Sequence, residues 1–127
     1  MKSDPVRLRL PGGPDAVGAA RRGLDPLEPQ VGTGLLQDLR LLVSELVTNS
    51  VRHSAEGGPD AVELEVRVTQ HRVHVCVTDS GPGFEASPRG HEDDPGSGWG
   101  LFLVEQISDR WGVEVNGSTQ VWFELER

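Results

Sequence analysis

Two glycine-rich segments interrupt the second half of the chain, each at the boundary between two regular patterns. The first, Asp79-Ser80-Gly81-Pro82-Gly83, follows a run of alternating valines that is typical of a half-buried strand. The second, Gly96-Ser97-Gly98-Trp99-Gly100-Leu101, precedes apolar residues at helical spacing. Because glycine lets backbone N–H groups approach a bound anion closely, we expect the fold to present both segments to one anionic ligand.

A helix precedes both segments and carries polar side chains in a row. Residues 35–54 have helical periodicity, and one apolar stripe is formed by Leu35, Leu39, Leu42, Val43 and Leu46. Glu45, Asn49 and Arg52 follow at i, i+4 and i+7, beside this stripe, where a cleft can form. A carboxylate and an amide one turn apart can serve proton transfer and magnesium binding. The helix and the two glycine segments, in this order, suggest an ATP site.

The first part of the chain is predicted to hold a strand, a helix and a loop. Residues 6–10 alternate valine or leucine with arginine, which predicts a short strand. Asp15 can cap a helix that runs to about Leu24. Prolines punctuate residues 25–34, which we expect to form a loop.

Two further strands lead to the first glycine segment. Residues 62–68 and 73–77 alternate apolar and polar side chains, which predicts an antiparallel hairpin that delivers Asp79 at its end. Residues 84–95 are polar and acidic without periodicity, and we expect them to form a mobile lid between the glycine segments.

The last part of the chain is predicted to hold a helix and a second hairpin. Helical spacing runs from Gly100 to Arg110, and Trp111-Gly112 is expected to end the helix. Residues 113–115 and 121–125 are predicted strands, joined by a turn at residues 116–118.

Composition limits the class of protein. A chain of 127 residues fits one domain, which we expect to span residues 1–127. Its net charge of −8 argues against nucleic acid as a partner. Cys76 is the only cysteine, so the chain has no internal disulfide. With neither a membrane-length apolar run nor a signal-peptide pattern, we expect a cytoplasmic protein that does not bind membranes.

Lysine usage excludes two common nucleotide sites. The sole lysine is Lys2, near the amino terminus. A Walker A loop needs Gly-Lys-Ser/Thr, and a eukaryotic-type protein kinase needs a strand lysine for the phosphates. The chain also lacks the G-x-G-x-x-G pattern of dinucleotide-binding proteins.

Three segments resemble, in order, the sequence boxes of the ATPase superfamily of gyrase, Hsp90, histidine kinases and MutL. They are residues 45–54, 77–84 and 96–101. The resemblance implies an α+β two-layer sandwich, the histidine-kinase-like or Bergerat fold, in which helices cover one face of a mixed, mostly antiparallel sheet. Within the superfamily, the small size and short lid resemble the anti-sigma-factor serine kinases. These regulators bind a sigma factor and phosphorylate an anti-sigma-factor antagonist, and self-association as a homodimer is compatible with this resemblance.

The resemblance assigns roles to residues of the first two boxes. Asn49 would coordinate Mg²⁺ through its amide oxygen, because magnesium prefers oxygen ligands. Glu45 would act as the catalytic base that accepts or orients the proton of a partner serine. Asp79 would accept a hydrogen bond from the adenine amino group, and Gly81 and Gly83 would let the backbone bend beneath the base.

The third box would bind the phosphates. Gly96, Gly98 and Gly100 would approach them closely, and the helix that begins near Gly100 would direct its N–H groups at them. Trp99 and Leu101 belong to the same box, although a tryptophan here is also expected to serve packing or an interface. Arg52 and Arg89 are further candidates for neutralising phosphate charge.

One position departs from the family pattern. Where many relatives carry a threonine close to the adenine-binding aspartate, this chain has Gln120, and Thr119 lies one position earlier, pointing to the opposite side of a strand. Either Gln120 substitutes through its own amide, or the adenine contact is weaker or mediated by water.

Each of these features, taken alone, also has a purely structural interpretation. Glu45 and Asn49 alone fit a solvated helix face, the first glycine segment alone fits a turn, and His53 fits a helix cap better than a catalytic group. Three functions remain open: an ATP-dependent serine kinase that sequesters a sigma factor, a nucleotide-dependent binding module without significant transfer, and the catalytic half of a sensor histidine kinase. Against the third, no helical hairpin with a phosphoacceptor histidine precedes the first box.

Overall fold

Five strands form one sheet in which every described pairing is antiparallel. The computed structural model describes residues 5–10, 15–54, 62–79, 99–115 and 119–127. The strands are β1 (Val6–Leu10), β2 (Val62–Val68), β3 (Arg72–Asp79), β4 (Arg110–Val115) and β5 (Thr119–Glu126). Their spatial order is β1-β2-β3-β5-β4. The predicted hairpin of residues 62–77 is confirmed, with Val62 opposite Asp79.

Helices cover one face of this sheet. They are α1 (Asp15–Leu24), α2 (Glu28–Val31), α3 (Thr33–Ser54) and α4 (Trp99–Ile107). Alternation along each strand sends its apolar side chains towards the helices, and the core includes Val62, Leu64, Val66, Val73, Val75, Val77, Val121, Phe123 and Leu125. The predicted α+β two-layer fold, with a mostly antiparallel sheet, is confirmed.

Helix α3 lies at the centre of the helical layer. The predicted apolar stripe is buried at Leu39, Leu42, Val43 and Leu46, while Leu35 is half-buried. Helix α3 contacts β2 and β3 of the sheet, and it also contacts helices α1, α2 and α4. Helix α1 buries Ala16, Ala20 and Leu24, which share one face at i, i+4 and i+8. The small alanines allow α1 and α3 to approach each other closely.

The loop predicted for residues 25–34 is wrong. A 3₁₀ turn at Asp25–Leu27 and α2 fill most of it, and α3 already begins at Thr33. The two prolines that favoured a loop, Pro26 and Pro29, each occupy the second position of a helical turn. Proline is compatible with the first turn of a helix, because the N–H that it lacks has no intrahelical partner there.

The predicted carboxyl end of α4 is also wrong. The helix ends at Ile107, and Trp111-Gly112 belongs to β4. Gly112 lies opposite Trp122 of β5, and a Cβ there would come within 2.7 Å of the indole Nε1. A glycine is therefore needed at this position of β4, because the Trp122 side chain occupies the space that a Cβ would fill. The predicted lid at residues 84–95 and turn at 116–118 fall outside the described residues.

Candidate functional site

Buried polar side chains lie in the second half of α3 and at the paired ends of β3 and β5. Within the described ranges, the buried polar residues are Asn49, Ser50, Asp79 and Thr119, with exposures of 6%, 2%, 2% and 1%. Helix α3 ends at Ser54, a short segment before Val62, and Val62 pairs with Asp79. A buried polar group costs about 1–3 kcal/mol unless it is hydrogen-bonded, so such a concentration marks a candidate functional site.

Two of the predicted residues lie on the same stripe of α3. Glu45 and Asn49 are one turn apart, about 6 Å along the helix axis. Glu45 is half-buried, whereas Asn49 is only 6% exposed. The helix packs against β3, the strand that ends at Asp79. The carboxylate therefore borders solvent, while the amide faces the interior.

Asp79 is paired across the sheet with Thr119, whereas the sequence did not decide between Thr119 and Gln120. In the antiparallel pair of β3 and β5, Asp79 lies directly opposite Thr119, and both side chains are buried on the helix-covered face. Side chains so opposed are about 5 Å apart at Cβ. Within the described part of the chain, the Thr119 Oγ1 is buried without a hydrogen-bond partner.

Gln120 cannot take the place of the family threonine next to Asp79. It pairs with Thr78 and lines the opposite, uncovered face of the sheet. Successive residues of a strand point to opposite faces, so Gln120 and Asp79 are separated by the sheet itself. Thr119, which sequence reasoning left aside, is the hydroxyl on the face of Asp79.

The donor set suits a magnesium-bound adenine nucleotide. Asn49 is buried, and its side-chain amide would supply an oxygen ligand, the type that magnesium prefers. Asp79 is an acceptor and Thr119 is both donor and acceptor, which matches the edge of a base that carries an amino group. The described residues contain no cluster of three or more His, Cys, Asp or Glu that could hold a metal ion by itself.

The structure describes only part of the predicted phosphate-binding segment. Trp99, Gly100 and Leu101 are the first three residues of α4, and only their backbone is described. A helix that starts here agrees with the predicted start near Gly100. The other predicted glycines, Gly81, Gly83, Gly96 and Gly98, lie outside the described residues, as does Arg89. Arg52 and His53 lie in the last turn of α3, and only the backbone of these two residues is described.

The uncovered face of the sheet bears a wide depression of about 640 Å³, but its charges are already paired. Arg7 binds Glu65 at 2.9 Å and Arg9 binds Glu63 at 3.2 Å. His74 stacks on Trp122 with 5.6 Å between ring centroids, and its Nδ1 lies 3.0 Å from Glu124. This satisfied network is a weaker candidate for a ligand site than the buried polar end.

Cys76 also lies on the uncovered face and does not have the character of a nucleophile. Burial raises the pKa of its thiol, and the carboxylates of Glu65 and Glu114 raise it further, while a contact with Thr78 opposes them. The thiol is therefore protonated near neutral pH, the unreactive form.

Comparison with known proteins identifies the family of the chain. Residues 10–125 match the histidine kinase-like ATPase domain. The chain belongs to this ATPase family. The resemblance of its three boxes to that superfamily is thereby confirmed.

Relatives within the family are serine kinases by name. The chain is 31% identical over 120 residues to the serine-protein kinase RsbW of Listeria innocua, covering 84% of this chain and 76% of that protein. It is 28% identical over 134 residues to RsbW of Bacillus licheniformis, covering 94% and 83%. The resemblance to the anti-sigma-factor kinase group is thus confirmed as similarity to the RsbW proteins.

A solved structure shares the fold of this ATPase family member. The crystal structure of the SiaB–SiaC complex from Pseudomonas aeruginosa matches with a TM-score of 0.61. The match covers 95% of this chain and 89% of that chain at 12% identity, which supports the fold alone. None of the described helices is long and apolar enough to cross a membrane.

Proposed function

We propose that the chain is an ATP-dependent protein serine kinase that phosphorylates an anti-sigma-factor antagonist and sequesters a sigma factor. The observation that carries this proposal is the stripe of α3, where a half-buried carboxylate stands one turn before a buried amide. Membership of the ATPase family and similarity to proteins named serine-protein kinase RsbW support it. Because a sigma factor acts in the cytoplasm, the proposal places the protein there.

The nucleotide would be held by buried residues of α3, β3 and β5. Asn49 would bind Mg²⁺, which supplies charge neutralisation to the phosphates. Asp79 would accept a hydrogen bond from the adenine amino group. Thr119, whose Oγ1 lacks a described partner, would bond to the same edge of the base directly or through a water. Guanine lacks that amino group, so these acceptors would discriminate against GTP.

Glu45 would act on the acceptor. The serine hydroxyl would bond to the γ-phosphorus of ATP while the bond to the bridging oxygen of ADP breaks, and Glu45 would take the hydroxyl proton. Its half-buried position, between solvent and the buried Asn49, suits a group that must meet both a protein partner and the nucleotide. The glycine segment before α4 and the helix start at Trp99 would contact the phosphates through backbone N–H groups.

Phosphotransfer from γ-labelled ATP to purified antagonist proteins from the same genome tests the proposal. The unaltered protein is expected to label a serine of at least one antagonist, while Glu45→Ala and Asn49→Ala are not. Asp38→Ala is a matched control, because Asp38 is an exposed carboxylate on the same helix. Tight ATP binding with no transfer to any antagonist would refute the kinase and favour a nucleotide-dependent binding module.

A further inference from the structure

A groove between α1 and α3 opens beside Glu45. It has a volume of about 470 Å³, and it is lined by Arg21, Gln37, Arg40, Leu41, Ser44 and Glu45. Arg21 comes from α1, and the other five residues form one face of α3. The candidate catalytic carboxylate is thus one wall of a cleft that reaches the protein surface.

Side-chain exposure decreases along the α3 face that borders this groove. Leu41, Glu45 and Asn49 follow at four-residue spacing, so each lies one turn beyond the last. Leu41 is 41% exposed, Glu45 is half-buried and Asn49 is 6% exposed. A group that enters the groove at Leu41 would therefore meet Glu45 before it reaches the buried nucleotide end.

Two arginines and the Glu45 carboxylate line the groove, in a protein of net charge −8. Arg21 is exposed, and no ion pair or hydrogen bond joins its side chain to any described residue. Arg40 binds Asp25 at the rim, and its side chain stays about one-third exposed. An unpaired cation on an otherwise acidic protein favours partners of opposite charge, because it speeds their association and fixes their orientation when they bind.

Ser44 also lines the groove. Its Oγ is buried and has no hydrogen-bond partner among the described residues. Buried hydroxyls in native structures are normally hydrogen-bonded, so this one keeps an unused bonding capacity beside the cleft. Ser44 directly precedes Glu45, which places this hydroxyl next to the proposed site of transfer.

We propose that this groove, which we call the acceptor groove, docks the serine-bearing surface of the phosphoacceptor protein, and that this surface is acidic beside the serine. The proposal rests on the proposed kinase function and names the partner of that same site. Arg21, which has no described ion pair, binds an acidic side chain of that surface, and Leu41 contacts an apolar residue. The acceptor serine then lies at Glu45.

Charge reversal at Arg21 tests the acceptor groove, and the neighbouring arginine provides a matched control. Arg22 is also exposed and lies on the same helix, but it does not line the groove. Arg21→Glu is expected to raise the KM for the antagonist protein about ten-fold with little change in kcat, because it weakens docking rather than transfer. Arg22→Glu is expected to change that KM less than about two-fold. Titration with ATP reports folding for both variants.

A compensating change in the acceptor completes the test. An antagonist whose acidic residues beside the serine are replaced by lysine is expected to be a poor substrate of the unaltered protein and a better substrate of Arg21→Glu. Equal effects of Arg21→Glu and Arg22→Glu, or no rescue by the reversed acceptor, would overturn the acceptor groove. Absence of transfer by the unaltered protein, with ATP bound, would refute the kinase function instead.

Cross-linking tests docking without requiring transfer. Leu41 and Phe102 are the exposed large apolar side chains of the described residues, at 41% and 38%, and only Leu41 lines the groove. A photoreactive benzoylphenylalanine at position 41 is expected to capture the antagonist, whereas the same group at position 102 is not. Equal capture at both positions, or capture at 102 alone, would overturn the proposal.

Discussion

The α3 face that bears Leu41, Glu45 and Asn49 is exposed to solvent at one end and buried at the other. Towards the amino end, Leu41 is exposed and Arg21 stands beside it without a described ion pair. Towards the carboxyl end, Asn49 and Ser50 are buried, and the helix packs against β3, the strand that ends at the buried Asp79. Losing a hydrogen bond from a buried polar group costs more free energy than losing one from an exposed charge, which water solvates well. We infer that one end provides affinity for nucleotide and the other provides selectivity for a protein.

Glu45 lies between these ends, and its removal is expected to have the largest effect. Glu45→Gln keeps the shape of the side chain but removes the proton acceptor. The rate of serine phosphorylation should fall about 10²–10⁴-fold, the usual contribution of a general base. The dissociation constant for ATP, measured by calorimetry on the same sample, should change little. Transfer at an undiminished rate would show that Glu45 is not the base.

At the buried end, Asp79→Asn is expected to weaken ATP binding about 10–100-fold while the fold is retained, because one charged hydrogen bond is worth about 1.5–3 kcal/mol. Circular dichroism and ATP titration measure the two properties separately. The variant should also lose part of its preference for ATP over GTP. Unchanged ATP affinity would refute the adenine role of Asp79.

The two faces of β5 offer a smaller and more selective test. Thr119→Val preserves side-chain shape and removes the hydroxyl beside Asp79, so ATP affinity should fall about 3–10-fold. Gln120→Ala, one residue along on the uncovered face, should leave it within experimental error. If Gln120→Ala weakened binding more than Thr119→Val, the assignment of faces would be wrong.

A substitution remote from both ends should affect stability alone. Gly112→Ala places a Cβ within 2.7 Å of the Trp122 Nε1, so the indole must shift. Thermal unfolding should show a loss of about 1–3 kcal/mol, typical of overpacking. ATP affinity at 25 °C is the control, and a melting temperature equal to that of the unaltered protein would show that the indole moves without cost.

Periodicity in the sequence predicted the elements that carry the candidate site. Leucine spacing placed Glu45 and Asn49 beside the buried stripe of α3, and valine alternation placed Asp79 at the end of a strand. The alternation of Thr119 with Val121, Phe123 and Leu125 was the signal that could have assigned Thr119 to the covered face.

Other features depend on tertiary contacts that periodicity does not reveal. Proline marks both loops and the first turns of helices, so residues 25–34 were ambiguous from the sequence. Gly112 resembled a helix stop until its position opposite Trp122 was known. The acceptor groove needs α1 to pack beside α3, since Arg21 and Glu45 are distant in sequence.

Calorimetric titration with ATP tests most directly whether the buried end of α3 binds nucleotide through magnesium. The unaltered protein is titrated with and without Mg²⁺, beside Asn49→Ala and, as a control that keeps an oxygen ligand, Asn49→Asp. We expect Mg²⁺ to strengthen ATP binding to the unaltered protein and not to Asn49→Ala, with Asn49→Asp retaining part of the gain. An equal gain from Mg²⁺ in the unaltered protein and in Asn49→Ala would show that Asn49 does not hold the metal ion.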